Sequence, residues 1–96
     1  MIDSALTIRR AASHDQAALA RLAALDSAFP PTGETLLAEV GEELWAAVEV
    51  GSGAAIADPF RPSADMVELL RFRADRLRGE GRAERRTRAR LLPRAA

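Results

Sequence analysis

The residues that could do chemistry in this 96-residue chain are few, and each has a plainer alternative. His14 is the single histidine and stands beside Asp15 at a predicted helix start. An imidazole there works as a base only next to a nucleophile or a metal, so a solvated helix residue is the plainer reading. Glu42 and Glu43 adjoin in a predicted turn, where neighbouring acids are usually just hydrated. Glu39 and Glu49 fall on the two arms of a predicted hairpin. Arg61, with Ser63 and Ala64, forms a candidate anion site at the start of the last helix. Backbone N–H groups of Ala64 and Asp65 are unpaired there, and the positive end of the helix dipole adds to them. The alternative is a plain salt bridge from Arg61 to Asp58 or Asp65. From Arg82 to Arg94 the chain is arginine-rich and could engage RNA, DNA or an acidic protein surface through phosphate-type contacts. It has no interleaved aromatics for base stacking, and a solvated tail is the plainer reading.

The elements that must position these residues follow from periodicity. Ala5 to Arg10 alternates, with Leu6 and Ile8 on one face and Thr7 and Arg9 on the other, which predicts a half-buried strand. Ser13 is a predicted N-cap with Gln16 completing a capping box. Leu19, Leu22, Ala23 and Leu25 then recur at helical spacing beside a smooth side of Ala17, Ala20 and Ala24, and the helix should stop near Ser27, before Pro30-Pro31. Thr35 to Val50 reads as a hairpin. A three-residue turn at Gly41-Glu42-Glu43 would put Leu36, Ala38 and Val40 on one face with Leu44, Ala46, Val48 and Val50, leaving Trp45 on the other. A brief strand, Ala54 to Ala57, ends at Asp58-Pro59. The last helix starts at Ser63 or Ala64, with Ser63 as N-cap and an apolar stripe of Met66, Val67, Leu69, Leu70, Ala74 and Leu77. Arg73 falls inside that stripe with its head turned outward. Glu68, Arg71, Asp75 and Arg78 line the opposite side, and Phe72 is exposed. The pattern predicts a domain over residues 1–78 and a flexible arginine-rich tail over 79–96.

Composition sets the outer bounds. The absence of cysteine excludes a disulfide framework, thiol catalysis and thiolate metal sites. No apolar run approaches the roughly 20 residues that span a bilayer, and no signal-peptide pattern opens the chain, so a soluble cytoplasmic protein without membrane contact is expected. Net charge is formally zero but divided: residues 1–60 hold three arginines against nine acids, and residues 61–96 hold eleven against five. All fourteen basic residues are arginine, which GC-rich coding explains more simply than selection for guanidinium contacts.

The order strand, helix, hairpin, short strand, helix resembles the N-terminal half of GNAT-type N-acetyltransferases over roughly residues 5–78. The likeness is carried by LTIRRAASHDQAALARLAAL (Leu6 to Leu25) and by LLAEVGEELWAAVEV (Leu36 to Val50). It implies that Met66 to Arg78 is the helix after the acetyl-CoA loop, that Arg61, Ser63 and Ala64 are the remnant of that cofactor site, and that Glu39 and Glu49 lie where some family members place a general base. In place of the family's spaced glycines stands Phe60-Arg61-Pro62-Ser63-Ala64-Asp65, in which Pro62 lacks a donor N–H and Asp65 adds negative charge. The chain also has no Tyr to act as general acid. The resemblance therefore implies a shortened, degenerate member of the fold. The expected architecture is α+β, a mainly antiparallel sheet of three or four strands with two main helices. The expected role is a non-catalytic domain that binds a protein partner or a second copy of itself through the edge strand Ala54 to Ala57. An acyl-CoA site at the Arg61 loop and nucleic-acid association through the tail are the alternatives.

Overall fold

The computed structural model describes residues 5–91. Strand β1 (Leu6–Arg10) passes through a 3-10 turn at Ser13–Asp15 into helix α1 (Gln16–Leu25). Strands β2 (Thr35–Val40), β3 (Glu43–Glu49) and β4 (Ala55–Ala57) follow, and helix α2 (Ala64–Leu91) completes the described chain. The sheet is antiparallel throughout, in the order β1-β2-β3-β4. This is the α+β class that the periodicities predict.

Each face of the sheet carries one helix. Leu36 and Ala38 of β2, with Ala46, Val48 and Val50, pack beneath Leu70 and Ala74 of α2. On the other face Leu37, Ala47 and Ile56 meet Leu19, Leu22 and Ala23 of α1. Burial on both sides explains why β2 opens with four consecutive buried residues, Thr35 to Ala38, rather than with an alternation. Fully buried Ala38, Ala46 and Ala47 let both helices approach closely.

The hairpin differs from the expected register. Ala38 faces Ala46 while Glu39 faces Leu44, so Trp45 is an extra residue, a β-bulge. The bulge turns Leu44 over to the α1 face, where it packs on the α1 cluster. It also shortens the connection to Gly41-Glu42, with Gly41 at φ 64° and Glu43 already paired to Val40. A strict period of two cannot foresee this, because one inserted residue inverts every side chain beyond it.

The helix ends also depart in detail. The helical turn begins at Ser13, one residue before its expected start, and the Asp15 carboxylate accepts the Ala12 N–H at 2.6 Å. At the other end Ser27 N–H donates to the Ala24 carbonyl and Ala28 N–H to the Ala23 carbonyl, with Ser27 at φ 52°, which is a Schellman stop. Ala17, Ala20 and Ala24 face water instead of a packing partner, and Leu25 is exposed with them, because α1 reaches the sheet through Leu19, Leu22 and Ala23. In α2, Leu69 and Phe72 are exposed at 37% and 61%. Arg71 is exposed and Arg78 pairs with Asp75 as expected, and in addition they donate to the Gly53 carbonyl at 3.2 Å and the Val50 carbonyl at 2.7 Å, tying α2 to the β3–β4 loop. The expected boundary at Gly79 is not an element boundary, since α2 runs through Gly79 and Gly81 to Leu91. Ala, Arg, Glu and Leu are strong helix formers and offset two glycines at about 1 kcal/mol each. The end of the arginine-rich segment, 92–96, lies outside the described residues.

Candidate functional site

Of the candidate residues, Glu39, Glu42 and Glu43 border one depression on the α1 side of the sheet, whereas His14, Glu49, Arg61, Ser63 and Ala64 do not. This depression of about 260 Å³ is bordered by Arg9, Asp15, Arg21, Glu39, Glu42, Glu43 and Asp58, with Leu22, Leu37 and Leu44 among its apolar walls. Alternation along β1 and β2 sends Arg9 and Glu39 to this face, and α1 brings Asp15 over it.

The ions in the depression are largely satisfied by one another. Arg9 donates from Nη2 to Asp15 Oδ1 at 2.7 Å, from Nη1 to Asp15 Oδ2 at 2.8 Å and from Nε to Glu39 Oε1 at 2.6 Å. Its guanidinium, with the Ala12 N–H behind it, holds the Asp15 carboxyl well below the usual carboxylate range despite burial. The two carboxylates in turn hold the Arg9 guanidinium firmly protonated. Sequence reasoning missed this cluster. Arg9 and Glu39 sit on the polar phase of two strands, where sequence alone does not join them, and only the cross-strand pairing with Asp15 overhead makes them a network. His14 is exposed, its Nε2 3.6 Å from Asp15 Oδ1.

The candidate bases are also engaged. Glu49 Oε2 accepts the N–H groups of Thr32 and Gly33, both at 3.1 Å, and Oε1 accepts the Ser52 hydroxyl at 2.7 Å. Those donors, Ser52 first, lower its pKa, which suits a staple for the Pro30-Pro31 connector and weakens a base. Glu39 is bound to Arg9, and Glu42 and Glu43 are exposed in and beside the hairpin turn.

At the anion site expected around Arg61, Ser63 and Ala64, the structure pairs Arg61 with neither Asp58 nor Asp65. Its Nη2 donates to both carboxylate oxygens of Glu43, at 2.9 and 3.0 Å, and its guanidinium lies 5.3 Å from the centre of the Trp45 ring. The hairpin thus supplies the counter-charge, through a fold-over that local sequence does not display. Asp58 spends its side chain on the Phe60 N–H at 2.9 Å, an Asx turn that shapes the loop. Ser63 is buried and its hydroxyl donates to the Asp58 carbonyl at 3.2 Å, while its own carbonyl starts α2 by accepting the Val67 N–H at 3.0 Å. Ala64 opens α2 and is exposed. The Trp45 Nε1–H is buried without an acceptor among the described residues. Among those residues no group of three or more His, Asp or Glu is arranged to hold a metal, and no helix is long and apolar enough to cross a membrane.

A second and larger concavity, about 520 Å³, lies on the α2 side between β1 and α2. Ile8, Leu36, Leu69, Phe72 and Leu77 give it apolar walls, and Arg10, Arg73, Arg76 and Glu80 charge its rim. Arg10 pairs with Glu34 at 3.2 Å, whereas Arg73 and Arg76 have no carboxylate within 4 Å among the described residues.

Comparison with protein-family models, with curated proteins and with solved structures finds no match to this chain.

Proposed function

We propose that the chain is a non-catalytic, GNAT-like domain that acts by binding protein. The observation that carries this reading is the apolar surface exposed near a sheet edge that no described strand covers: Leu69 at 37% and Phe72 at 61% exposure border the β1–α2 cleft, and Leu6 of β1 is 44% exposed. The commitment of Arg9, Asp15, Glu39, Glu49 and Arg61 to internal partners supports it as well. Support for the GNAT-like part comes from the meander of four strands with α1 and α2 on opposite faces.

Calorimetric titration with acetyl-CoA and with CoA tests the reading against the acyl-CoA alternative. The expected outcome is no heat from a folded sample. Micromolar binding that Arg61→Ala abolishes would overturn it and assign a cofactor site to Arg61, Ser63 and Ala64. Sedimentation velocity over a range of concentrations tests whether the partner is a second copy, and a strict monomer removes the homodimer.

A second reading has its own observation. Past the sheet, α2 carries Arg82, Arg85, Arg86, Arg88 and Arg90, all exposed on a helix that draws the molecule out to 63 Å. Such a helix presents a dense row of phosphate-binding groups. Nucleic-acid binding through it requires affinity for a duplex oligonucleotide that falls steeply with salt and is lost in the Arg85→Glu/Arg86→Glu variant. Salt-independent or absent binding removes it.

A further inference from the structure

We propose that the outer edge of β1 and the cleft beside it take an extended acidic peptide segment of another protein, which adds to the sheet as a fifth strand. This rests on the protein-binding reading and names its surface and the chemistry of its partner.

The phase of β1 is set by its ends. The Gly41 N–H donates to the Ala5 carbonyl at 3.4 Å and the Ala11 N–H to the Thr35 carbonyl at 2.8 Å. Antiparallel pairing alternates, so Ala5, Thr7, Arg9 and Ala11 bond β2, while the N–H and C=O groups of Leu6, Ile8 and Arg10 point away from the sheet. Of these outward groups, the Arg10 carbonyl accepts a long contact from its neighbour Arg9 Nη1 at 3.3 Å. The rest have no partner among the described residues and form a ladder ready for an added strand.

The opposite edge is less available. Strand β4 has three residues, and the N–H of Ala57 is taken by Asp26 Oδ2 at 3.1 Å. An acidic side chain reaching over a short strand blunts an edge, so the pairing expected at Ala54 to Ala57 is better served by the five residues of β1.

Side chains of β1 on the α2 face continue into the cleft. An incoming strand would place every second residue into the space bordered by Ile8, Leu69, Phe72 and Leu77. Its charge preference follows from the rim. Arg73 and Arg76 have no counter-ion among the described residues, Arg10 shares an exposed pair with Glu34, and Glu80 is the acid that borders the cleft. The inward positions of the guest are therefore a mixture of apolar and acidic side chains. A second copy fits less well. Antiparallel β1–β1 pairing about Ile8 keeps both α2 helices on one face and turns the Arg73 and Arg76 flank of each toward the other, which places like charges together.

The probe is a fluorescein-labelled nonapeptide, SVTETVSES, whose even positions alternate Val and Glu. Its control, SVTKTVSKS, reverses the charge. Added to the full chain up to about 1 mM, the acidic peptide is expected to slow amide exchange of Leu6, Ile8 and Arg10 at least tenfold, with Thr7 and Arg9 unchanged. The Arg73→Glu/Arg76→Glu variant, whose two sites are exposed, is expected to bind at least tenfold more weakly while keeping its circular dichroism spectrum. Unprotected Ile8 and Arg10 amides, equal binding of the lysine peptide, or undiminished binding by the variant would each overturn the proposal. If these failures accompany self-association or protein binding mapped to another face, the protein-binding reading survives without this surface. Acetyl-CoA bound at the Arg61 loop would remove that reading itself.

Discussion

Arg9 and Asp15 form a two-point ion pair, Nη2 to Oδ1 at 2.7 Å and Nη1 to Oδ2 at 2.8 Å, with the Asp15 side chain 7% exposed and the Arg9 side chain 33%. The pair joins β1 to the 3-10 turn that leads into α1. Removing the arginine leaves a buried carboxylate without its cation, which in a fully buried pair costs about 3–5 kcal/mol. Arg9 keeps a third of its side chain in water, so Arg9→Ala is expected to cost about 2–3 kcal/mol in urea denaturation. Arg9→Lys should recover little, since a point charge cannot make the fork. A cost for Arg9→Ala below about 0.5 kcal/mol would mean that solvent already satisfies Asp15.

The same pair sets a pH dependence. The Asp15 carboxyl is depressed in the folded state, so its contribution is complete above the unfolded carboxylate pKa of about 3.9 and fades as pH falls from there toward the folded value. Glu49, also depressed, acts in the same direction. The urea midpoint should therefore drop between about pH 5 and pH 2, and Asp15→Asn, less stable at neutral pH, should show a shallower drop. Parallel pH profiles for the two proteins would exclude Asp15 as the cause.

Arg61 offers a contrast in magnitude. Its bond to Glu43 is exposed on both sides, and its stacking on Trp45 adds a weak cation–π contact. Arg61→Ala is expected to cost less than about 1 kcal/mol while shifting the emission of the single tryptophan. A loss above about 2 kcal/mol would make this loop a structural keystone instead.

How much of this was legible in the sequence depends on distance along the chain. Local periodicity puts a strand over Ala5 to Arg10, a stripe of Leu19, Leu22, Ala23 and Leu25 on α1, and the start of α2 at Ser63 or Ala64; the strand spans Leu6–Arg10, the stripe is buried except for Leu25, and α2 starts at Ala64. The bulge at Trp45 was not legible, because nothing in Glu-Leu-Trp-Ala distinguishes an inserted residue from a paired one. The Arg61–Glu43 and Arg9–Asp15–Glu39 contacts join residues from separate elements, and charges on the polar phase of a strand look solvated until a helix is laid over them. That the Ala57 N–H of β4 is taken was not legible either, since the Asp26 side chain that accepts it comes from the end of α1.

Ser27 is a non-glycine residue in the left-handed region, at φ 52°, in the position where a Schellman stop favours glycine. An L side chain there costs roughly 1–2 kcal/mol, partly offset by the extra freedom that glycine has when unfolded. Ser27→Gly should therefore stabilise the protein by about 0.5–1 kcal/mol, raising its thermal midpoint by several degrees. Ser27→Val, which is β-branched, should do the reverse. Equal midpoints for the three would show that the helix end relaxes out of the left-handed turn.

The outer half of α2 gives the last prediction. From Arg82 to Arg90 every residue is exposed, so this part of the helix is held by its own backbone bonds and by side-chain propensity rather than by the sheet. Gly79 and Gly81 sit at the junction, and each has room for a methyl group: nothing lies within 4 Å of a Cβ at Gly79, and Arg85 Nη1 is 3.7 Å from one at Gly81. Replacing both with alanine removes about 1 kcal/mol of helix penalty at each site. Because the core stripe ends near Leu77, that gain acts locally. Amide exchange of residues 82–90 should slow by about tenfold or more, with little change in the thermal midpoint of the sheet. A midpoint rise of many degrees would mean that the extension unfolds together with the core, and unchanged exchange would mean that the glycines do not limit the helix.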